Sequence, residues 1–156
     1  MQVVFELNRT TTGDPNFQHL ISCLDHELWV ELKEDQATYD GFNKVPDIDT
    51  AVVLFAGGEP VACGCFKPFD TNTIEVKRMF VQKAWRGNGL SKAVLQELEK
   101  WAVEKGYRYA VLETSVHFAT ARKLYETNQY QIIPNYAPYA GLAESVCMKK
   151  ELSPVQ

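Results

Sequence analysis

Residues 73–92 read TIEVKRMFVQKAWRGNGLSK, and this stretch predicts how the centre of the chain folds. In its first part, Thr73 to Val81, the apolar residues Ile74 and Val76 and the apolar end Met79-Phe80-Val81 predict a β-strand with an irregularity near its end. A short loop containing Gly87 and Gly89 leads directly into a helix whose apolar residues recur every three to four positions. A further strand is predicted over Tyr109 to Thr114, so this region forms a β-α-β unit with parallel strands.

The same patterns predict the elements on either side of this unit. Before it they predict a strand over residues 3–7, a helix that begins at the Asp14-Pro15 cap, and strands over 51–56 and 61–66 joined by the Gly57-Gly58 turn. After it they predict a helix from about 115 to 128 and strands over 131–133 and 145–149. The polar segment 37–50 predicts a loop or a weak second helix. The order is β-α-(α)-β-β-β-α-β-α-β-β, and because the hairpin before the parallel unit is antiparallel, it predicts an α/β (α+β) fold with a mixed sheet.

Composition narrows the class of protein. The chain has 156 residues, of which 46% are hydrophobic and 23% charged, and we expect one domain over residues 1–156. The formal net charge of −4 disfavours a general nucleic-acid binder. We expect no membrane helix, because no apolar run approaches the roughly 20 residues that one requires. The first residues lack the pattern of a secretion signal, so we expect a cytoplasmic protein.

The cysteines predict no metal site. Cys63 and Cys65 form a C-x-C pair, but no second pair and no histidine stands nearby at ligand spacing. We therefore interpret the four cysteines as small apolar residues of a protein in a reducing compartment, and we expect no metal.

The junction between the loop and the helix predicts a site for phosphate groups. Glycine lets a ligand approach the backbone, and the first turn of a helix presents free N–H groups. Between Glu75 and Glu97 every charged residue is basic, namely Lys77, Arg78, Lys83, Arg86 and Lys92. No Gly-Lys-Ser/Thr triple is present, and Lys92 stands where a dinucleotide motif needs its third glycine. The pattern favours a binding site for a polyanionic small molecule. The alternative is that the basic residues are solvated surface charges and the two glycines only turn the chain.

Two segments resemble motifs of the GCN5-related N-acetyltransferase (GNAT) family. Residues 86–91, Arg-Gly-Asn-Gly-Leu-Ser, resemble its Q/R-x-x-G-x-G/A motif, and residues 121–130 resemble its A-x-x-L-Y-x-x-x-G-F signature. Residues 58–64 and 75–81 are similar to the hairpin and strand that precede the first motif. The chain departs from the family at Phe118, where an asparagine is frequent, and at Gln129, where a glycine is frequent. Asn128 beside Gln129 tolerates a left-handed backbone, which predicts a helix stop there.

The resemblance covers residues 3–152 and implies the GNAT fold, which is a mixed, mostly antiparallel central sheet flanked by helices. It also implies that acetyl-CoA is bound by the parallel β-α-β unit. It implies that the backbone of the strand end binds the pantetheine arm and that the loop N–H groups bind the pyrophosphate. The residues so implied are Met79, Phe80, Val81, Arg86, Gly87, Asn88, Gly89, Leu90 and Ser91. It also implies that Tyr125 points its hydroxyl at the thioester sulfur, where a phenol suits the protonation of a thiolate.

Transfer of an acetyl group to an amine requires a base for the ammonium proton and donors for the developing oxyanion, and the departing thiolate benefits from an acid. Glu75 is the leading base candidate, because it lies four residues before Met79 on the strand whose end would meet the thioester. The alternatives for Glu75 are an exposed position and a pair with Lys77 or Arg78. Glu113 is a second acidic candidate or a structural hydrogen-bond partner.

Three further residues have more than one interpretation, and a fourth, Cys147, bears on the mechanism. Tyr136 and Tyr139 either line an acceptor pocket or pack under their loop. His117 is either a base or a surface residue at a helix start, and the second is favoured. Cys147 stands in an apolar strand, which argues against a covalent acetyl-cysteine and for direct transfer.

The sequence therefore predicts an N-acetyltransferase for a small-molecule amine, with acetyl-CoA as co-substrate. A protein or peptide acetyltransferase and a non-catalytic acetyl-CoA-binding module are the alternatives. We expect the small-molecule amine as a partner, with no nucleic acid and no membrane, and we consider a homodimer.

Overall fold

A computed structural model describes residues 2–32 and 47–153 of the chain. The strands are β1 (Phe5–Thr10), β2 (Ala51–Ala56), β3 (Glu59–Pro68), β4 (Thr73–Val81), β5 (Tyr109–Ser115), β6 (Gln131–Ile133) and β7 (Ser145–Glu151). The helices are α1 (Pro15–Leu32), α2 (Leu90–Glu104) and α3 (Ala119–Thr127), and a 3-10 helix over Lys83–Trp85 precedes α2. The predicted loop or weak helix over 37–50 falls mostly outside the described residues.

The predicted order of elements is confirmed, with two corrections to their bounds. The first strand is displaced from 3–7 to Phe5–Thr10, because all six of its residues pair with Ala51–Ala56 of β2. The helix predicted from about 115 begins only at Ala119. Ser115 still pairs within β5, and its hydroxyl and carbonyl accept the N–H groups of His117 and Phe118, so the chain turns before the helix starts.

The described strands form one seven-stranded sheet in the order β1-β2-β3-β4-β5-β7-β6. β4 and β5 are parallel, as the β-α-β unit predicts, whereas the pairs β1–β2, β2–β3, β5–β7 and β6–β7 are antiparallel. The sheet is mixed and mostly antiparallel, so the predicted α/β (α+β) class is confirmed.

The ladder between β4 and β5 is short. It contains three residue pairs and ends where Glu75 faces Val111, although both strands continue beyond that point. β5 is paired with β7 along its whole length, from Tyr109 to Ser115. Glu75 is therefore the last β4 residue that is paired with β5.

The chain divides by its internal contacts into two compact units, residues 1–66 with 78–98 and residues 67–77 with 99–156. In the first unit a buried cluster joins α1 to the strands and consists of Phe17, Leu20, Ala51, Val53, Cys63, Cys65 and Phe80. In the second unit the most buried apolar residues include Ala110, Val111, Leu112, Tyr139, Cys147 and Met148. The interpretation of Cys63 and Cys65 as small apolar core residues is confirmed.

Gly64 of β3 packs directly under α2. A methyl group at Gly64 would lie 2.5 Å from Met79 Sδ and 3.1 Å from side-chain carbons of Val94 and Leu98. Real carbon atoms do not approach so closely, so these side chains must move when the methyl group is added.

We predict that Gly64→Ala lowers the free energy of unfolding by about 1–3 kcal/mol through overpacking. Gly13→Ala is the matched control, because its methyl group would meet only Thr11 Oγ1 at an ordinary 3.6 Å. Denaturant unfolding of both variants measures the difference, and equal stabilities would contradict the packing described here.

Candidate active site

The end of β4 carries the irregularity that the sequence predicts. Arg78 lies within the strand at φ 60°, a left-handed conformation that is uncommon for a residue with a side chain. The Cys63 thiol donates to the Arg78 carbonyl at 3.6 Å, and the Arg78 guanidinium binds Asp25 of α1. Arg78 is one of the two partners considered for Glu75 in the alternative to the base role, and the structure pairs it with Asp25.

The loop before α2 has the geometry of an anion site. Gly87 and Gly89 adopt φ of 85° and 74°, and a side chain at either position would meet no atom within 4 Å. The first backbone bond of the helix joins the Ala93 N–H to the Gly89 carbonyl at 3.2 Å. The N–H groups of Leu90 and Ser91 therefore stand ahead of the helical ladder, where an anion can accept them. These residues fit a pyrophosphate.

The basic segment around this loop is partly neutralised within the first unit. Arg86 Nε donates to the Val81 carbonyl at 2.9 Å, and its terminal nitrogen donates to both Glu27 carboxylate oxygens at 2.7 and 2.9 Å. Lys83 and Lys92 are exposed. The acidic partners come from α1, far away in sequence, so the side chains supply less positive charge than the sequence pattern indicates. The backbone N–H groups become correspondingly more important for anion binding.

Glu75 is buried, with 4% of its surface exposed. Its Oε2 accepts the Tyr136 hydroxyl at 2.8 Å, and its Oε1 lies 3.6 Å from Lys67 Nζ and 3.8 Å from Lys77 Nζ. The exposed position considered for Glu75 is wrong, whereas the pairing with Lys77 is confirmed. A buried carboxylate with several partners has a defined orientation, which a catalytic base requires.

Tyr136 and Tyr139 belong to the loop between β6 and β7 and pack against each other, with ring centroids 5.6 Å apart. The Lys77 ammonium donates to the Tyr139 hydroxyl at 3.3 Å, and the Tyr136 ring also meets Phe69 edge-on at 4.8 Å. Burial raises the pKa of the Tyr136 phenol, and the charge of Glu75 raises it further, so Tyr136 keeps the proton it donates. The two tyrosines thus pack under the loop and also contact the polar groups around Glu75.

Glu113 lies on β5 and accepts the Ser145 hydroxyl at 2.8 Å. Burial raises the pKa of its carboxyl group, and the Ser145 hydrogen bond and the charge of Lys77 partly offset this. The structural hydrogen bond expected for Glu113 is confirmed. A raised carboxyl pKa is also a property of general bases, so Glu113 is the natural comparison for Glu75.

Tyr125 lies in the last turns of α3 and is 7% exposed. Its ring meets that of Tyr130 edge-on, with centroids 5.8 Å apart. Burial raises the pKa of the Tyr125 phenol, and the charge of Glu113 adds to the effect, so the hydroxyl holds its proton at neutral pH. The hydroxyl is therefore in the protonated form that a proton donor requires, although the raised pKa makes it a weaker acid than a free phenol.

The C-terminal end of α3 differs from the prediction that Asn128 adopts the left-handed conformation there. The left-handed residue is Gln129 at φ 71°, whereas Asn128 has φ −102°. The Tyr130 N–H then bonds back to the Tyr125 carbonyl at 3.0 Å, which closes the helix end. Gln129 thus occupies the backbone conformation for which the family motif has a glycine.

The remaining candidates are accounted for within the second unit. His117 is exposed and its Nε2 lies 3.2 Å from Glu144 Oε1, as expected for a surface residue near a helix start. Cys147 is fully buried, and burial raises the pKa of its thiol, which disfavours the thiolate that nucleophilic attack requires. Over residues 2–32 and 47–153, no cluster of three or more His, Cys, Asp or Glu side chains is placed to hold a metal ion.

The structure groups the predicted residues by unit. The nine residues implied in acetyl-CoA binding all belong to the first unit, and Glu75 and Tyr125 belong to the second. Sequence reasoning missed Lys67 as a neighbour of Glu75 and Asn135 as the organiser of the β6–β7 loop. The Asn135 amide donates to three carbonyl groups, those of Tyr139, Leu142 and Ser145. A polar residue beside Pro134 is the only sequence signal for that role.

Comparison with known proteins identifies the family. Residues 15–129 match the model of the acetyltransferase (GNAT) family. The chain therefore belongs to the GNAT family, as the motifs and the fold indicate.

Individual relatives agree with this assignment. The chain is 37% identical over 98 residues to YsnE of Bacillus subtilis strain 168, an uncharacterised N-acetyltransferase, and the match covers 62% of this chain and 65% of the relative. It is 35% identical over 109 residues to an IAA acetyltransferase of Azospirillum brasilense, covering 69% and 70% of the two chains. The chain thus spans just under two thirds of the length of YsnE.

Solved structures share the fold. The crystal structure of a Klebsiella pneumoniae protein assigned to the acyl-CoA N-acyltransferases matches with a TM-score of 0.78 at 29% identity, covering 96% of this chain and 99% of that one. An acetyltransferase of the GNAT family from Staphylococcus aureus Mu50 matches with a TM-score of 0.73 at 13% identity, covering 96% and 100%. None of the helices described here is long and apolar enough to cross a membrane.

Proposed function

We propose that the chain transfers an acetyl group from acetyl-CoA to the amine of a small molecule. The observation that carries the proposal is the loop before α2, where Gly87 and Gly89 hold left-handed conformations with open space around them. Such a loop at a helix N-terminus binds phosphate groups through backbone N–H groups. Membership of the GNAT family supports acetyl-CoA as the phosphate-bearing ligand.

The co-substrate is held mainly by backbone groups in this proposal. The strand end at Met79, Phe80 and Val81 binds the pantetheine arm, and residues 86–91 bind the pyrophosphate. Arg78 and Arg86 form salt bridges with Asp25 and Glu27. Binding of acetyl-CoA by backbone groups does not require these two side chains, so the salt bridges are compatible with the proposed co-substrate site.

Each proton in the reaction has an assigned group. Glu75 accepts the proton of the acceptor ammonium, directly or through water, and the neutral nitrogen then attacks the thioester carbonyl carbon. The C–N bond forms, the C–S bond breaks, and Tyr125 supplies a proton to the departing thiolate. The second proton that the nitrogen loses on becoming an amide restores the Tyr125 hydroxyl through water, and the proton on Glu75 passes to solvent. The burial and raised pKa of the Cys147 thiol support this direct transfer over a covalent acetyl-cysteine.

We predict that Gly89→Asp weakens acetyl-CoA binding at least tenfold, which is about 1.4 kcal/mol. The new carboxylate would stand among the N–H groups that otherwise bind the pyrophosphate, and it repels the phosphates. Isothermal titration calorimetry measures the affinity.

Gly58→Asp is the matched control for this variant. Gly58 also has a left-handed backbone, at φ 85°, with open space around it, but it lies in the turn between β2 and β3. Both variants therefore carry the same charge and a similar backbone strain. Unchanged affinity in a folded Gly89→Asp protein, or an equal loss in Gly58→Asp, would remove the loop from the co-substrate site.

Two other activities are separated by the choice of acceptor. A peptide acetyltransferase would acetylate peptides in preference to free amines, and a binding module would take up acetyl-CoA without releasing CoA for any acceptor. A thiol-release assay across amines, amino acids, polyamines, aminoglycosides and peptides distinguishes the three.

Three other properties of this chain stay predictions: a cytoplasmic location, a single domain over residues 1–156 and a homodimer. Light scattering of the purified protein tests the homodimer.

A further inference from the structure

Lys67 places a positive charge beside the carboxylate that the proposed function uses as its base. Its Nζ lies 3.6 Å from Glu75 Oε1, and its side chain is 40% exposed whereas that of Glu75 is 6% exposed. The separation exceeds that of an ordinary N–H···O hydrogen bond, so the two groups attract each other as charges without a short bond. Because Lys67 also reaches solvent, its ammonium group can leave the Glu75 carboxylate and bind an anionic group of an arriving substrate instead.

The charges around Glu75 favour an anionic group over an additional cation. Lys77 brings a second, buried ammonium group to 3.8 Å from the same carboxylate oxygen. Burial raises the pKa of the nearby Glu113 carboxyl, so the surroundings of Glu113 also disfavour its charged form. Two lysines therefore face Glu75, and a polyamine would bring further positive charges to them, whereas a carboxylate would be attracted.

The Glu75–Lys67 pair is complementary to a zwitterion. An α-amino acid carries its ammonium and its carboxylate on one carbon, so its two charges are as close together as those of the pair. We propose, on the basis of the proposed function, that the acceptor is a free amino acid whose carboxylate binds Lys67 while its amino group faces Glu75. Lys67 is then a specificity-determining residue, and the exchange of partners leaves Glu75 available for the amine proton.

The side chain of the amino acid meets an apolar surface in this arrangement. Phe69 lies two residues after Lys67, is 41% exposed and packs edge-on against Tyr136, whose hydroxyl binds Glu75. An exposed aromatic ring at this place suits an apolar or aromatic amino-acid side chain.

The test compares each amino acid with the amine that lacks only its carboxylate. Phenylalanine is compared with phenethylamine, leucine with isoamylamine and tryptophan with tryptamine, within a panel of all twenty amino acids. We expect kcat/KM to be at least tenfold higher for the best amino acid than for its matched amine. Equal or better use of the amine in every pair overturns the inference.

Variants at Lys67 assign the preference to this residue. Lys67→Met should reduce the ratio of the two kcat/KM values at least tenfold, and Lys67→Arg, which keeps the charge, should retain most of the ratio. Lys105→Met is the control, because Lys105 is also exposed but lies just after α2. An unchanged ratio in Lys67→Met, with a folded protein confirmed by thermal melting, also overturns the inference.

The outcomes separate this inference from the proposed function. Acetylation of simple amines or peptides without a preference for amino acids overturns the role of Lys67 and leaves acetyl transfer intact. A complete lack of CoA release with every amine, amino acid and peptide overturns both.

Discussion

Tyr125→Phe should lower kcat roughly 10²-fold or more, the range expected for the loss of a positioned acid. The substitution keeps the buried ring and its edge-on contact with Tyr130, so folding and acetyl-CoA affinity should change little. It removes only the hydroxyl, whose proton matters as negative charge gathers on the departing sulfur. An interaction made chiefly in the transition state affects kcat more than KM. Steady-state kinetics with an accepted amine measures the effect.

Tyr130→Phe is the matched control for Tyr125→Phe. Tyr130 is also a buried tyrosine, but its hydroxyl donates to Glu99 Oε2 at 2.9 Å, a structural bond. Its loss should lower the melting temperature, through a cost of about 1 kcal/mol, and leave kcat nearly unchanged. A near-wild-type kcat for Tyr125→Phe, with evidence that chemistry limits the rate, would reduce Tyr125 to a packing residue.

Glu75→Gln should lower the rate roughly 10²-fold near neutral pH, because the amide cannot accept the ammonium proton. The rate should recover as the pH rises, since a growing fraction of the acceptor is then already neutral. The amide oxygen can still accept the Tyr136 hydroxyl, so the local structure should persist. A pH–rate profile for the variant and the wild type measures this recovery.

Glu113→Gln decides between the two carboxylates considered as the base, Glu75 and Glu113. If Glu75 is the base, Glu113→Gln should cost less activity and show no recovery at high pH. The reverse order of effects would assign the base to Glu113, whose carboxyl pKa is raised by burial. A loss in Glu75→Gln that is equal at every pH would indicate a positioning role for Glu75.

Local structure was predictable where short-range chemistry determines it. The β4-loop-α2 segment combines a strand pattern, two glycines that accept left-handed backbone and an apolar helical stripe, and all three appear where the sequence indicates. The start of α3 was not predictable in this way. The residues after Ser115 are compatible with a helix, but pairing of β5 with β7 extends the strand through Ser115, and Val116 also bonds to the Glu144 carbonyl. A contact between distant segments therefore overrides a local preference.

The neighbours of the candidate site residues depend on such long-range contacts. The hydrogen bond between Tyr136 and Glu75 spans 61 positions, and the contact between Arg86 and Glu27 spans 59. Sequence reasoning named Glu75 and Tyr136 separately, one as a base and the other as a pocket residue, but no local pattern joins them. By contrast, Lys77 lies two residues from Glu75 on the same strand face, so their pairing was predictable from alternation alone.

Transfer of an acetyl group from acetyl-CoA to an amine nitrogen is the activity that we propose for this chain. The most direct measurement incubates the purified protein with acetyl-CoA labelled in its acetyl group and a panel of amino acids and amines, then follows product mass and CoA release together. We predict a labelled N-acetyl product formed in equal amount to the CoA released, and a large loss of both in Gly89→Asp but not in Gly58→Asp. Acetyl-CoA that stays intact with every amine, amino acid and peptide would contradict the claim.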